Sequence, residues 1–248
     1  MNRRLFESGN SKLRLLRTRG RFFLKNYPVR LHRIGLHFKK GLTYLRQHSA
    51  ANKSLWALAM AIAMWWVHML FLTMDILVFP EVYETLTLLV KYKTRRLTEV
   101  ETKLARTVLG NAIDYEAVLV DEHAFLGCKQ GHFLYVSFHT INGWGGIDSE
   151  LLMHELVHVW QYEQLGSRYI PLALQAQFSP QGYDYGGLNA LLDYLKKGNS
   201  LKDFNLEQQA EIVTDFFRIM TDKKPRWGLA GVQDLSVYRH FLKELSAG

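Results

Sequence analysis

The stretch DSELLMHELVHVWQYEQLG, residues 148–166, decides how this chain is read. Asp148 or Ser149 can accept hydrogen bonds from the exposed N–H groups that open a helix, and Gly166 is a suitable stop. Between them, His154 and His158 stand four residues apart. On a helix, positions i and i+4 share one face, so both imidazoles can reach one metal ion. Glu155 follows the first of them and points near the same edge, where a carboxylate can act as a general base on a water molecule. The helix is apolar on most sides, through Leu151, Leu152, Met153, Val157 and Trp160. It is therefore expected to be buried, and buried charge needs a partner. The alternative, a surface helix with two solvated histidines, does not explain that crowding.

A catalytic zinc takes three protein ligands and keeps one position open. The best candidate for the third is Glu207, 49 residues after His158. A capped helix, opened by Asn205-Leu-Glu-Gln208 and running to about Thr221, carries Glu207, Glu211 and Asp215 at successive steps of four. Acids in such a row repel by roughly 0.2–0.5 kcal/mol per adjacent pair, and a cation offsets that repulsion. Glu211, one turn beyond Glu207, is placed to accept the second N–H of a liganding histidine and hold its tautomer. Asp215 is expected to be a solvated charge. Peptide-bond chemistry also needs a donor for the developing oxyanion. Tyr185 is the first candidate, with Tyr183, His139 and His240 behind it.

HELVHVWQ (154–161) followed by NLEQQAEIV (205–213) resembles the signature of HExxH zinc metallopeptidases of the gluzincin type. More narrowly, the order helix, Gly, strand, strand, HExxH–VWQ, YDY, EQQAE resembles a set of bacterial metallopeptidases, and it covers about Leu97 to Thr221. The resemblance implies that His154, His158 and Glu207 hold zinc and that Glu155 is the base. Glu211 stands where the commoner pattern has Asp. The substrate implied is a peptide or protein.

Outward from this core, 117–120 and 132–139 read as strands and 142–146 as a loop. Thr98-Glu-Val-Glu101 reads as a capping box opening a helix that stops at Gly110. Residues 188–197 read as a helix ending at Gly198. The strand ending at His139 could accept an extended peptide at its edge.

Toward the N-terminus, Leu55–Met74 is an uncharged run of 20 residues, LWALAMAIAMWWVHMLFLTM, with Asp75 at its end and Pro80 beyond. A helix of that length spans a hydrocarbon layer of roughly 30 Å. The other possibilities are a buried helix or one lying in the headgroup plane. It begins too late for a cleavable signal peptide. Residues 1–54 hold 14 Lys/Arg against one acid, Glu7, whereas the remainder holds 17 Lys/Arg against 22 acids. Such a basic tail is drawn to polyanions. Its aromatic residues, Phe22, Phe23, Tyr27, Phe38 and Tyr44, would suit single-stranded nucleic acid. Because the tail runs straight into the apolar segment, an anchor on anionic lipid is the better reading. Positive charge favours a cytoplasmic N-terminus, although the near flanks of the run tie at four basic residues each. The single cysteine, Cys128, excludes an internal disulfide and a cysteine-cluster metal site.

The expected fold is α+β and zincin-like: a mainly helical domain with a small sheet, behind a basic tail and a single transmembrane helix. The expected segments are a tail over 1–54, the membrane helix over 55–80, a connecting helix over 81–97 and the metallopeptidase domain over 98–248. The expected setting is a bacterial inner membrane, with the C-terminal domain outside the cytoplasm and lipid contact through residues 1–80. A non-catalytic zincin-like binding or assembly module at the membrane, such as one attached to a secretion apparatus, and a lipid or nucleic-acid binder acting through the tail are the alternatives.

Overall fold

Asp148 caps the central helix: one carboxylate oxygen accepts the N–H groups of Glu150 and Leu151, both at 2.9 Å. Gly166, at φ 66°, ends the helix. In the computed structural model of the chain, residues 9–50, 55–91, 93–124, 128–131 and 133–246 are described. Parts of two expectations lie outside them: residues 1–8 and 51–54 of the basic tail, with Glu7 and Lys53, and His132 at the start of the second strand.

The elements, in order, are α1 (Gly9–Ala50), α2 (Leu55–Ile76), α3 (Phe79–Val90), β1 (Thr94–Arg96), α4 (Glu99–Leu109), β2 (Leu119–Asp121), the single turn α5 (Cys128–Gly131), β3 (Tyr135–Ser137), β4 (Thr140–Asn142), α6 (Ser149–Leu165), α7 (Tyr169–Gln177), α8 (Gly187–Lys196), α9 (Leu206–Met220) and α10 (Leu235–Leu242). The protein is mainly helical with one small mixed sheet, ordered β1-β2-β4-β3. β1 runs antiparallel to β2, β2 parallel to β4, and β3 antiparallel to β4. β3 is thus an edge strand.

Packing of α6 against α9 forms the centre of the molecule. Leu152 to Tyr162 is buried without a break, and so is most of α9 from Gln209 to Phe217. Burying one Val, Leu, Ile or Phe side chain gives about 1.5–3 kcal/mol, so this contact dominates the core. The caps expected from sequence are present. Thr98 and Glu101 satisfy each other's backbone N–H groups, as do Asn205 and Gln208.

Several boundaries differ from expectation. The strand expected over 132–139 is a hairpin: β3, a turn at Phe138-His139, and β4. Phe138 adopts a φ of 59° there. The expected connecting helix over 81–97 is α3 followed by β1, which pairs into the sheet. Three-residue strands are too short for period-two patterning to register.

The apolar run forms α2, long and apolar enough to cross a membrane. It ends at Ile76 rather than at 80, because the backbone turns at Val78, at φ 62°, ahead of Pro80 in the first turn of α3; Asp75 is tied to the backbone N–H and hydroxyl of Ser167 at 2.9 and 2.5 Å. The described part of the basic segment is a helix, α1, packed along α2 and α3 rather than a free tail. Arg30 is buried; it pairs with Glu81 at 2.5 Å and donates to the Asp75 carbonyl at 2.6 Å. Arg19 is buried at 3.4 Å from Glu84. Glu84 also accepts the N–H of His139 and the hydroxyl of Thr140, at 2.9 and 3.1 Å. The ion pairs fasten α1 to α3, and the hydrogen bonds accepted by Glu84 fasten α3 to the sheet.

Candidate metal centre

α6 supplies His154, Glu155 and His158, and α9 supplies Glu207 and Glu211; all five are buried. The spacing read from sequence therefore brings four of its expected ligands and base together, with Glu211 behind them. Nε2 of His154 lies 3.1 Å from Nε2 of His158. The Glu207 carboxylate oxygen Oε2 lies 3.3 Å from the first and 3.2 Å from the second. Three donor atoms with ligand distances of about 2.0–2.1 Å on a tetrahedral ion stand about 3.3 Å apart. His154, His158 and Glu207 could therefore hold a metal ion. Glu207 Oε2 is buried and finds no aligned hydrogen-bond donor, which fits a ligand atom better than a structural carboxylate.

The far side of each imidazole is held. His158 Nδ1 donates to Gln161 Oε1 at 2.8 Å, which leaves the Nε2 lone pair free toward Glu207. Gln161 is itself fixed, because its amide donates to the Leu206 carbonyl at 2.8 Å and to Gln209 at 3.1 Å. His154 Nδ1 lies 3.2 Å from Glu211 Oε1. The indole N–H of Trp227 donates to the other oxygen of Glu211 at 3.0 Å, and Arg226 approaches at 3.3 Å.

The electrostatics follow from burial and neighbours. Burial disfavours a charged His154, yet the carboxylates of Glu207 and Glu211 outweigh it and hold this imidazole up at about 10. Burial also works against an ionised Glu207, but the two histidines beside it pull it down to about 2. Glu155 is pushed up, first by burial and despite the pull of the histidines. Its Oε2 is buried without a partner.

A cavity of about 360 Å³ opens over this group. Tyr135 and Val136 of the edge strand β3 line one side, and Tyr169 and Tyr183 line another. The ring of Tyr169 lies 5.7 Å from that of His158, and the ring of Tyr183 lies 6.0 Å from that of His154.

Tyr185 does not belong to this cavity. It is only 3% exposed, and its hydroxyl donates to Asp215 at 2.7 Å and meets Tyr238 at 3.0 Å. Asp215 is not solvated either: it is fully buried and accepts Tyr185, the backbone N–H groups of Arg226 and Trp227, and the Arg218 guanidinium. It thereby holds the 226–227 segment against Glu211. His139 is buried at the β3–β4 turn, between Glu84 and Glu163. His240 is exposed on α10. Neither lines the cavity. Gln161, Tyr169 and Trp227 were not singled out in the sequence. Gln161 had a local signal, since it lies one turn past His158 on the same face; Tyr169 and Trp227 had none.

Against known proteins, no family model matches this chain. The spike protein VgrG2b of the type VI secretion system of Pseudomonas aeruginosa is 29% identical over 136 residues, which is 50% of this chain and 13% of VgrG2b. The chain thus spans only a small part of that relative's length. Among solved structures, the effector domain of Pseudomonas aeruginosa VgrG2b is similar at 21% identity with a TM-score of 0.37, covering 58% of this chain and 79% of that one.

Proposed function

We propose that this chain is a zinc-dependent peptidase that works at a membrane. The observation that carries the reading is the set of three donor atoms on His154, His158 and Glu207, mutually 3.1–3.3 Å apart, beside an unpartnered buried carboxylate oxygen of Glu155. Two imidazole nitrogens and one carboxylate suit zinc. Held by these residues, zinc supplies a Lewis acid that polarises a carbonyl and makes a nearby water more acidic.

The remaining work falls to the chain's own groups. Glu155, its affinity for a proton raised by burial, takes a proton from water and passes it to the leaving amine. The Tyr183 hydroxyl is the better oxyanion donor, because Tyr183 lines the cavity and Tyr185 does not. An extended peptide can add to the open edge of β3, whose Tyr135 and Val136 border the cavity. Gln161 and Glu211 keep the histidine rings turned toward Glu207.

α2, with basic α1 beside it, is the membrane-contacting part of the chain. The similarity to a type VI secretion spike protein of Pseudomonas aeruginosa supports a bacterial setting; the inner membrane as the place rests on α2 alone.

Metal analysis and peptide hydrolysis by the full chain test the reading. Glu155→Gln should keep its zinc and lose hydrolysis. A wild-type chain that takes up no zinc would end the proposal.

A further inference from the structure

Two turns past His158, the end of α6 meets the α1–α2 hairpin around a second cavity of about 400 Å³. Arg33, His37 and Lys40 reach it from α1, His68 from α2 and Arg168 from the turn after α6. Among the described residues, no Asp or Glu lines it. Asp75, close by, accepts the N–H and hydroxyl of Ser167 and attracts Arg33, which also donates to the Glu163 carbonyl at 2.7 Å; Arg168 has no such carboxylate.

Three buried nitrogens at this cavity have no hydrogen-bond partner: Arg168 Nε, His68 Nε2 and Trp65 Nε1. Two of them, on Arg168 and Trp65, can only donate. Burial lowers the proton affinity of the Arg168 guanidinium, and no carboxylate offsets this. Arg168 is half-buried, and its Nε, which lacks a partner, is costly to leave so; an anion in the cavity would remove that cost. The rest of the wall is apolar, with the Trp65 ring and aliphatic side chains of α2 among it. On its outward face, α2 exposes Trp66 and Leu70, at 61% and 59%. A free phosphate ion would leave that apolar surface unused, whereas a lipid would cover it.

We propose that this cavity binds the phosphate headgroup of an anionic phospholipid, paired by Arg168 and Arg33, while the outward face of α2 lies against acyl chains. The site is separate from the metal centre and stands independently of the peptidase reading. It also bears on how α2 meets a bilayer. In this packing a crossing α2 would carry Arg33 and Lys40 into hydrocarbon, which is expensive. At headgroup depth the same cations are favourable, so the hairpin lies along the interface.

Co-sedimentation of the full chain with phosphatidylcholine vesicles, with and without phosphatidylglycerol, tests this. Wild type should bind only the vesicles with phosphatidylglycerol. Arg168→Gln should weaken that binding by roughly tenfold or more, as expected for losing charge-assisted hydrogen bonds. Lys197→Gln, the same charge change on an exposed residue elsewhere, should not. If Arg168→Gln fails to fold by circular dichroism, Lys40→Gln, exposed at the cavity rim, carries the test. Equal binding to both vesicle types, or equal loss in Lys197→Gln, overturns the proposal. So does thermal stabilisation by inorganic phosphate without any vesicle binding, which would make free phosphate the ligand.

Discussion

Nδ1 of His154 faces Glu211 Oε1 at 3.2 Å, while Nε2 of the same ring faces Glu207 at 3.3 Å, so α9 grips one imidazole from both sides. Glu207 and Glu211 are four residues apart on α9, just as the two histidines are on α6. Two helices with the same repeat, packed face to face, thus build both the candidate ligand set and its support.

That support gives the first prediction. Glu211→Gln keeps the shape but removes the charge behind His154, and Gln161→Leu removes the acceptor of His158 Nδ1–H. Each should weaken zinc binding by roughly 10–100-fold while the fold persists. Competition titration against a zinc chelator measures this, and unchanged affinity in both variants would deny these residues the positioning role.

The two neighbouring tyrosines should behave oppositely. Tyr183→Phe should lower kcat for peptide hydrolysis with little effect on stability. Tyr185→Phe removes a buried hydroxyl bonded to Asp215 and Tyr238 and should cost about 1–3 kcal/mol of stability. Kinetics and urea melts on the pair separate the two effects; the reverse pattern would restore Tyr185 as the catalytic candidate.

His139 links stability to pH. Burial opposes its charge, but Glu163 and Glu84 raise it to about 9. A histidine raised in the folded state stabilises fully below its unfolded value of about 6.5. That contribution is lost as pH rises through 9. Glu84 is lowered despite its burial, mainly by its hydrogen bond to His139, so its contribution is present above the ordinary carboxylate range and lost in acid. The Tm of the wild type should therefore fall between about pH 6.5 and 9, and His139→Gln should flatten that slope. A slope unchanged in the variant would assign the pH dependence to other groups.

Gly166 is constrained twice. Its φ is 66°, and a Cβ there would overlap Asp75 Oδ2. Gly166→Ala should therefore lower stability by more than about 1 kcal/mol and loosen the junction of α2 with the end of α6. Melting temperature and protease sensitivity near Ser167 report both.

Much of the candidate metal centre is legible in the sequence because its determinants are local. The cap at Asp148, the stop at Gly166 and the four-residue spacing of His154 and His158 all lie within one helix. Glu207 and Glu211 were legible for the same reason on a second helix, whose capping box at Asn205 sets its phase. The hairpin of β3 and β4 was not legible, because strands of three residues show no periodicity and the turn at Phe138 carries no glycine. The described part of the basic segment packs as α1 rather than trailing free, which charge composition does not reveal, because its partners lie far along the chain. Arg30 meets Glu81 and Arg19 meets Glu84 only after α1 folds back on α3.

The amino-acid sequence by itself determined which side chains share a helix face: His154 with His158, and Glu207 with Glu211 and Asp215. Helical geometry alone settles such relations. Which member of a matched set reaches the cavity depends on how the elements pack. Tyr183 lines it while Tyr185, two residues on, is turned to Asp215; Glu211 supports His154 while Asp215, one turn further, is sealed under the 226–227 segment. Those assignments depend on where other elements pack, and packing is a long-range property that local spacing does not contain.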